Sequence, residues 1–438
     1  MNKNSIRVAC LLMSLIGTIA WAQDRTLLNL DEAMDLGIQN SKYLKIDQAK
    51  IDEAMAQVIN SKNHRLPDFK ISGSALALAN AKAEIKILPP SNNGNHVVTP
   101  STAYFGSANF SLPLYSGGRI NYGIQSAQYL LEASKLSAEN NKLSIAYTVA
   151  QAYNNLYKSE QVIKILKENL KAAQERDKTF LNLENNGVIA RNDRLKANLQ
   201  TADIELKLLE AENNFEIAMI NMDLLLGLPE NTQLSLDSQY ISSVLAVENQ
   251  DFYMQQAMEN RKDLQVNDYQ QKAAKQSIKA AKSENLPQIA LTAGYVAAEV
   301  PKIMTLYNAA NIGIGVQYNL SNIWKKNTDL LKAEAQIQKL DANQQLILDQ
   351  IKLEIHRDYK NYQLANSKIG LLEKSLEQAN ENFRITKNKF DNGLETITNL
   401  LEADAQQITA HVNLTNAKAD AVLAFKKLEQ TSGILISK

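Results

Sequence analysis

The chain has 438 residues, enough for two or three domains, and its formal charge is balanced at 47 basic against 47 acidic residues. That balance excludes the basic excess expected of a nucleic-acid binder and the acidic tail of a solvating or histone-like partner. Aromatic residues make up only 6% while Ala, Leu, Asn, Gln, Lys and Glu abound, the composition of long helices.

At the N-terminus, Lys3 and Arg7 precede the apolar run "VACLLMSLIGTIA", and "AWA" at 20–22 supplies a small-x-small cleavage pattern. A membrane-crossing helix needs about 20 apolar residues, so this shorter run reads as a secretory signal peptide over residues 1–22. Cys10, the only cysteine, falls inside it, and the remaining chain has no thiol chemistry or disulfide despite export to an oxidising compartment. Cleavage also removes Lys3 and Arg7, leaving 45 basic against 47 acidic residues. No later segment matches a membrane helix, so insertion into a bilayer must use another structure.

A helical stretch follows, including "LNLDEAMDLGIQNSKYLK" at 28–45. Past Pro67 the period changes from helical to two. "FKISGSALALA" pairs with "AYFGSANFSLPLYSG", where Tyr104, Gly106, Ala108, Phe110, Leu112 and Leu114 alternate with mostly polar Ser107, Asn109 and Ser111. Such alternation marks strands with one apolar and one polar face. The long connection between them, "NAKAEIKILPPSNNGNHVVTP", contrasts with a short one near "EVPKIMTLYN" in a second hairpin at about 287–321. There "IALTAGYVAA" is followed by Ile312, Ile314, Val316, Tyr318 and Leu320 alternating with Gly313, Gly315, Gln317 and Asn319. Four strands of about 9–12 residues have the length to cross a bilayer when tilted, yet four are too few to close a barrel. Open edges are not tolerated in lipid, so several copies would have to close one barrel together.

The eight prolines leave residues 114–228 and 302–438 free of proline, which costs about 3 kcal/mol inside a helix. Leu156, Val162, Ile163, Leu166 and Leu170 recur at helical spacing, and an uninterrupted helix from Tyr122 to Asn185 would extend about 95 Å. It must bury its stripe along neighbours, as a bundle, coiled coil or helical barrel. Gly187, the only glycine between Gly123 and Gly227, breaks the pattern in "NNGVIARNDRLKA". Locally it marks either an ordinary loop or a helix reversal.

An internal duplication decides for reversal. Leu114, Ala127, Tyr153, Asn186, Gly187, Leu195, Ala197 and Gly227 each recur 206 positions later, at Leu320, Ala333, Tyr359, Asn392, Gly393, Leu401, Ala403 and Gly433. The expected organisation is a signal peptide (1–22), a first repeat (23–229; hairpin about 68–116, turn at Gly187), a linker (230–252) and a second repeat (253–438; turn at Gly393).

Site chemistry is sparse. His64, His96, His356 and His411 lack paired ligand spacing, and neither a G-x-S-x-G elbow nor a phosphate-cradling glycine loop occurs. Acidic runs on the helices, such as "EADAQQ", read as solvated faces. No enzyme activity, metal or cofactor is expected.

The duplicated plan, with "LPLYSGGRINYGIQSAQ" at 112–128 leading from strand into long helix, resembles the TolC family of outer-membrane efflux proteins over nearly the whole chain. The resemblance implies a mainly α fold with a small β part. Long antiparallel helical hairpins would form an α-barrel, and two β-hairpins per chain would join a twelve-stranded outer-membrane β-barrel of a homotrimer. It further implies an outer-membrane protein reaching into the periplasm, where it conducts passively for an inner-membrane pump and a periplasmic adaptor (membrane fusion) protein. Tyr104, Phe110, Ile314 and Tyr318 would face outer-membrane lipid, and Trp324 would either anchor at the inner interface or pack internally. The turns at Gly187, Val188, Gly393 and Leu394 match the adaptor-docking tips. Phe390 falls at an aromatic gate position, Asp193 at an acidic position, and Asn399 and Glu402 where acidic rings form. Glu395 stands where an arginine occurs in relatives, so an arginine-centred latch does not carry over. A secreted coiled-coil scaffold or adhesin explains the helices but not the paired hairpins. A periplasmic adaptor would carry small β-domains instead.

Overall fold

The computed structural model describes residues 26–84, 97–230, 232–237, 239–241 and 247–436. The expected signal peptide, with Lys3, Arg7, Cys10 and the 20–22 pattern, lies outside the described residues, as does His96.

In chain order the elements are β1 (Thr26–Leu28), α1 (Leu30–Asn40), α2 (Lys42–Asn63), β2 (Asp68–Ala77), β3 (Ala83–Glu84), β4 (Val97–Val98), β5 (Thr102–Tyr115), α3 (Arg119–Asn185), α4 (Arg191–Leu226) and β6 (Leu234–Leu236). The second half has α5 (Gln250–Asn260), α6 (Lys262–Lys282), β7 (Gln288–Val300), β8 (Met304–Gln317), α7 (Thr328–Asp391) and α8 (Ile397–Thr431). The protein is mainly α with a small β part. Helices α3 and α7 have 67 and 64 residues, each about 100 Å at 1.5 Å per residue. Among the described residues no helix is long and apolar enough to cross a membrane.

The chain forms two compact units. One is built from the described parts of 1–45, 139–261 and 349–438, and is helical apart from one short strand pair. Its main core joins Val149, Tyr153 and Leu156 of α3, Met222 and Leu226 of α4, and Ala419 and Val422 of α8. Helix α1 starts in a capping box: the Glu32 N–H donates to the Asn29 side chain at 2.8 Å, and the Asn29 N–H donates to the Glu32 carboxylate at 3.2 Å. Strands β1 and β6 pair in parallel, with Leu27 opposite Ser235. The buried Tyr153 hydroxyl ties their ends, donating to the Leu28 carbonyl at 2.9 Å and accepting from the Asp237 N–H at 3.1 Å. Burial pushes this phenol up to about 12. This short parallel pair has no counterpart among the sequence expectations.

The other unit, 46–138 and 262–348, holds a four-stranded antiparallel sheet in the order β2-β5-β7-β8. Its strands have 10, 14, 13 and 14 residues, so three exceed the expected length. The second hairpin explains part of the excess. Most of "EVPKIMTLYN", expected as a loop, is strand, because a bulge at Val296/Ala298 resets the register and pairing continues to Val300 opposite Met304. Only 301–303 turn, with Lys302 at φ 70 and the Ile303 N–H donating to the Val300 carbonyl. In the first hairpin, the long connection carries an extra antiparallel pair, Ala83 opposite Val98.

Close packing of α1 on α3 singles out Gly37, where an added Cβ would sit 2.5 Å from Val149 Cγ2. Val149 is β-branched and cannot swing aside within its helix. Gly37→Ala should therefore destabilise by about 1–3 kcal/mol through overpacking. Gly123→Ala, in helix α3 with nothing within 4 Å of the added Cβ, should instead stabilise by about 0.5–1 kcal/mol. Thermal unfolding followed by circular dichroism checks the order, with the Gly123 variant melting highest and the Gly37 variant lowest.

Candidate functional site

Two places carry the features from which function can be argued: the sheet, and the turns of the long helical hairpins. Each lies within one unit.

In the sheet, residues paired directly across strands share a face. The register puts Phe69 opposite Phe110, Ile71 opposite Ala108, Ala108 opposite Tyr295, Leu291 opposite Ile314 and Ile289 opposite Val316. One face is therefore apolar on all four strands, except toward the 301–303 turn, where Glu299 stands opposite Tyr104 and Thr305. It is also bare, with Ile312 78% and Ile314 68% exposed. The opposite face carries Asp68, Lys70, Ser72, Ser107, Asn109, Thr292, Asn311 and Gln317, while toward the 301–303 turn it becomes apolar with Leu76, Phe105, Val296, Val300, Met304 and Leu306. Ser72 and Ser107 hydroxyls lie 2.8 Å apart, and the Asn109 amide donates to Ser107 at 3.0 Å. Of the residues expected to face lipid, Tyr104, Phe110 and Ile314 are on the apolar face. Tyr318 continues its alternation just beyond β8. Trp324 is exposed rather than packed inside the chain.

At the hairpin turns, both helices end the same way. The Gly187 N–H donates to the Glu184 carbonyl and the Val188 N–H to the Leu183 carbonyl, each at 2.9 Å. The Gly393 N–H donates to Phe390 and the Leu394 N–H to Lys389, again at 2.9 Å. This double closure needs a left-handed residue, and φ is 70° at Gly187 and 73° at Gly393. Gly227 and Gly433 close their helices alike, at φ 69° and 79°. The pairs differ in surroundings. A Cβ at Gly227 or Gly433 would press on Asn40 or Asn260, whereas at Gly187 and Gly393 nothing lies within 4 Å. The apolar residue that usually folds back in this motif points outward here, and Leu394 is 76% exposed.

Beyond the second turn, Thr396 caps α8 by accepting the Asn399 N–H at 3.3 Å. Glu395 accepts from the Thr396 N–H at 3.0 Å and from the Asn399 amide at 2.7 Å. The Thr396 N–H, the Asn399 amide and the charge of Lys389 hold the Glu395 carboxyl below the usual range. Asp193 meets Lys196 at 3.4 Å, and the same ammonium reaches Thr398 Oγ1 at 3.3 Å, linking the two hairpins. Across the first turn Arg194 pairs with Glu184. Phe390 packs against Phe180 with centroids 5.5 Å apart, in a cluster with Ala197, Ile397 and Leu400. Glu402 joins none of these groups. It is exposed and accepts only from its own helix, from the Gln406 amide at 3.3 Å.

The sequence expectation for "EADAQQ" as a solvated face fails at Asp404. Its side chain is 5% exposed and accepts from Arg176 Nη2 at 2.9 Å, joining α8 to α3. Asp404 stands at helical spacing from Ile397 and Leu400, both buried, and that spacing was the available signal. Burial lifts the Asp404 carboxyl above its ordinary range, and the Arg176 charge and hydrogen bond partly offset this.

Arg176→Gln removes the offset and leaves a buried carboxyl without its cation, a loss of about 3–5 kcal/mol at neutral pH. A carboxyl whose folded-state pKa is raised contributes stability below its unfolded pKa, and that contribution is lost as pH rises through the folded value. The variant should therefore lose more stability than the parent from acid to neutral pH. Adding Asp404→Asn should restore most of the loss. Denaturant unfolding at both pH values checks this, and equal pH slopes for parent and variant would contradict it.

Comparisons with known proteins agree with this arrangement. The family model for the outer membrane efflux protein matches residues 34–228 and 253–433. Outer membrane protein TolC of Vibrio cholerae is 22% identical over 441 aligned residues, covering 97% of this chain and 93% of that protein. Outer membrane protein TolC of Salmonella enteritidis is 26% identical over 223 residues, which span 47% of this chain and 45% of that protein. Among solved structures, the outer membrane protein VceC of Vibrio cholerae superposes with a TM-score of 0.74 at 18% identity, covering 92% of this chain and 96% of that one. At such identity the structural likeness carries the fold, and the family assignment rests on the family model. The chain belongs to the outer membrane efflux protein family.

Proposed function

We propose that the chain is the outer-membrane channel component of a tripartite efflux pump or type I secretion system. Substrates arrive from an inner-membrane pump and a periplasmic adaptor and leave passively to the exterior. The single observation that carries this is the sheet, which has a bare apolar face, a polar face and two unpaired edge strands, β2 and β8.

Lipid accepts such a sheet only when its edges are closed. Three copies supply twelve strands, within the range of outer-membrane barrels, with the apolar face toward lipid and the polar face toward water. The relatives are channels rather than enzymes, and conduction needs no reacting group.

In this function residues 1–22 are the export signal, 23–229 and 253–438 are two copies of one plan, and 230–252 join them. The outward Val188 and Leu394 beside Gly187 and Gly393 offer the adaptor its contact. Asp193, Phe390, Glu395, Asn399 and Glu402 surround the periplasmic aperture. Phe390 is the aromatic gate residue there, packed against Phe180 between the hairpins, and Glu395 with Asn399 forms a local cap. Opening would separate the hairpins, breaking the Asp193–Lys196–Thr398 and Arg176–Asp404 links.

Planar-bilayer conductance tests the channel. A threefold ring of Glu402 favours cations, so Glu402→Gln should lower cation preference, and unchanged ion selectivity would remove Glu402 from the constriction. Docking is tested at the tips, where L side chains at left-handed φ cost about 1–2 kcal/mol. Gly187→Val and Gly393→Val should weaken adaptor cross-linking and efflux, and normal cross-linking in both would refute that role.

A further inference from the structure

The segment between β8 and α7 presents an exposed apolar and basic surface that conduction leaves unused. Tyr318, Leu320, Ile323 and Trp324 are followed at once by Lys325 and Lys326, and Ile323 and Trp324 are each 70% exposed. This exposure is held in place. The Ser321 N–H donates to the Asn319 side chain at 3.1 Å, and the Asn322 amide donates to the Glu284 carbonyl at 2.8 Å. The Asn327 amide donates to the Ala281 carbonyl at 2.9 Å, while its side-chain oxygen caps α7 through the Leu330 N–H, also at 2.9 Å. Three asparagines thus pin the segment with Ile323 and Trp324 exposed, where water would penalise them.

The charges are equally unassigned. Among the described residues neither Lys325 nor Lys326 makes an ion pair, and Asp329 in the first turn of α7 is taken by Lys332 at 3.2 Å. The patch continues the apolar face of the sheet, since Ile312, Ile314, Val316, Tyr318 and Leu320 alternate into it. It lies at the end of β8 that enters the helix, opposite the 301–303 turn. Indole beside lysine at the edge of an apolar band matches the membrane–water boundary, where the ring sits among headgroups and the ammonium reaches phosphate. Two adjacent ammoniums favour anionic over zwitterionic headgroups.

We infer that residues 318–326 form an interfacial lipid site that seats anionic phospholipid headgroups of the periplasm-facing leaflet. The inference rests on the channel function proposed above and assigns this segment the choice of lipid.

The test uses the full chain carrying Trp21→Phe, which leaves Trp324 as its only tryptophan. The protein is placed in phosphatidylethanolamine vesicles containing phosphatidylglycerol, with bromine on one lipid at a time, near the headgroup or near the chain end. Trp324 emission should be quenched more by shallow than by deep bromine. Brominated phosphatidylglycerol should quench about fivefold more per mole than brominated phosphatidylethanolamine. Lys325→Gln with Lys326→Gln should abolish that preference while leaving the depth unchanged. A second protein, carrying Trp21→Phe, Trp324→Phe and Ile314→Trp, reports separately on the sheet face. If its tryptophan is quenched by deep bromine but Trp324 is not quenched at all, a neighbouring copy covers the segment and the inference is overturned while the channel stands. Equal quenching of Trp324 by both lipids overturns the anionic preference. An unquenched tryptophan at position 314 overturns the channel itself.

Discussion

Everything in this structure turns on the unpaired backbone of two strands. In the sheet order β2-β5-β7-β8, the outer edges of β2 and β8 present N–H and C=O groups with no strand partner among the described residues. In water such edges would be tolerated or blunted by charge. Here the face beside them is apolar over most of every strand and open, which suits hydrocarbon, where no water is at hand to partner the edges. Other copies of the same strands can supply the missing hydrogen bonds, β8 of one copy against β2 of the next. Membrane insertion, assembly and a water-filled interior then follow from one requirement.

The helical unit answers a different constraint, that of ending long helices at defined places. Four glycines, Gly187, Gly227, Gly393 and Gly433, use the same left-handed closure, and the duplication relates them in pairs. At Gly227 and Gly433 a neighbouring helix end lies close, so that an added Cβ would meet Asn40 or Asn260. At the other pair the closure is bare, with Val188 and Leu394 turned outward. Identical backbone chemistry thus serves packing at one pair and leaves apolar side chains exposed at the other. The hairpins are held together nearby by Phe180 on Phe390, Lys196 to Thr398, and Arg176 to Asp404.

Much of this was legible in the sequence because it rests on periodicity and on punctuation. The change from helical to two-residue spacing at Tyr104–Leu114 and Ile312–Leu320 located strands that the register confirms as two-faced. The twinned Asn-Gly steps at 186–187 and 392–393 located the helix reversals. Features set by tertiary placement were less visible. Strand length was underestimated in the second hairpin because a bulge has no residue signature in "YVAAEV". The β1–β6 pair joins three-residue segments too short for alternation to show. Phe390 pairs with Phe180, a residue outside the duplicated positions, so the repeat gave no hint of the contact. An aspartate on a helix looks the same in sequence whether it meets water or Arg176.

The most direct test of the closed-edge requirement is the mass of the assembly extracted from the outer membrane, measured by native mass spectrometry in detergent. Three copies of the chain, with no stable single copy, are expected, because only shared strands satisfy the edges of β2 and β8. A soluble, monodisperse single chain with its sheet intact would contradict the account.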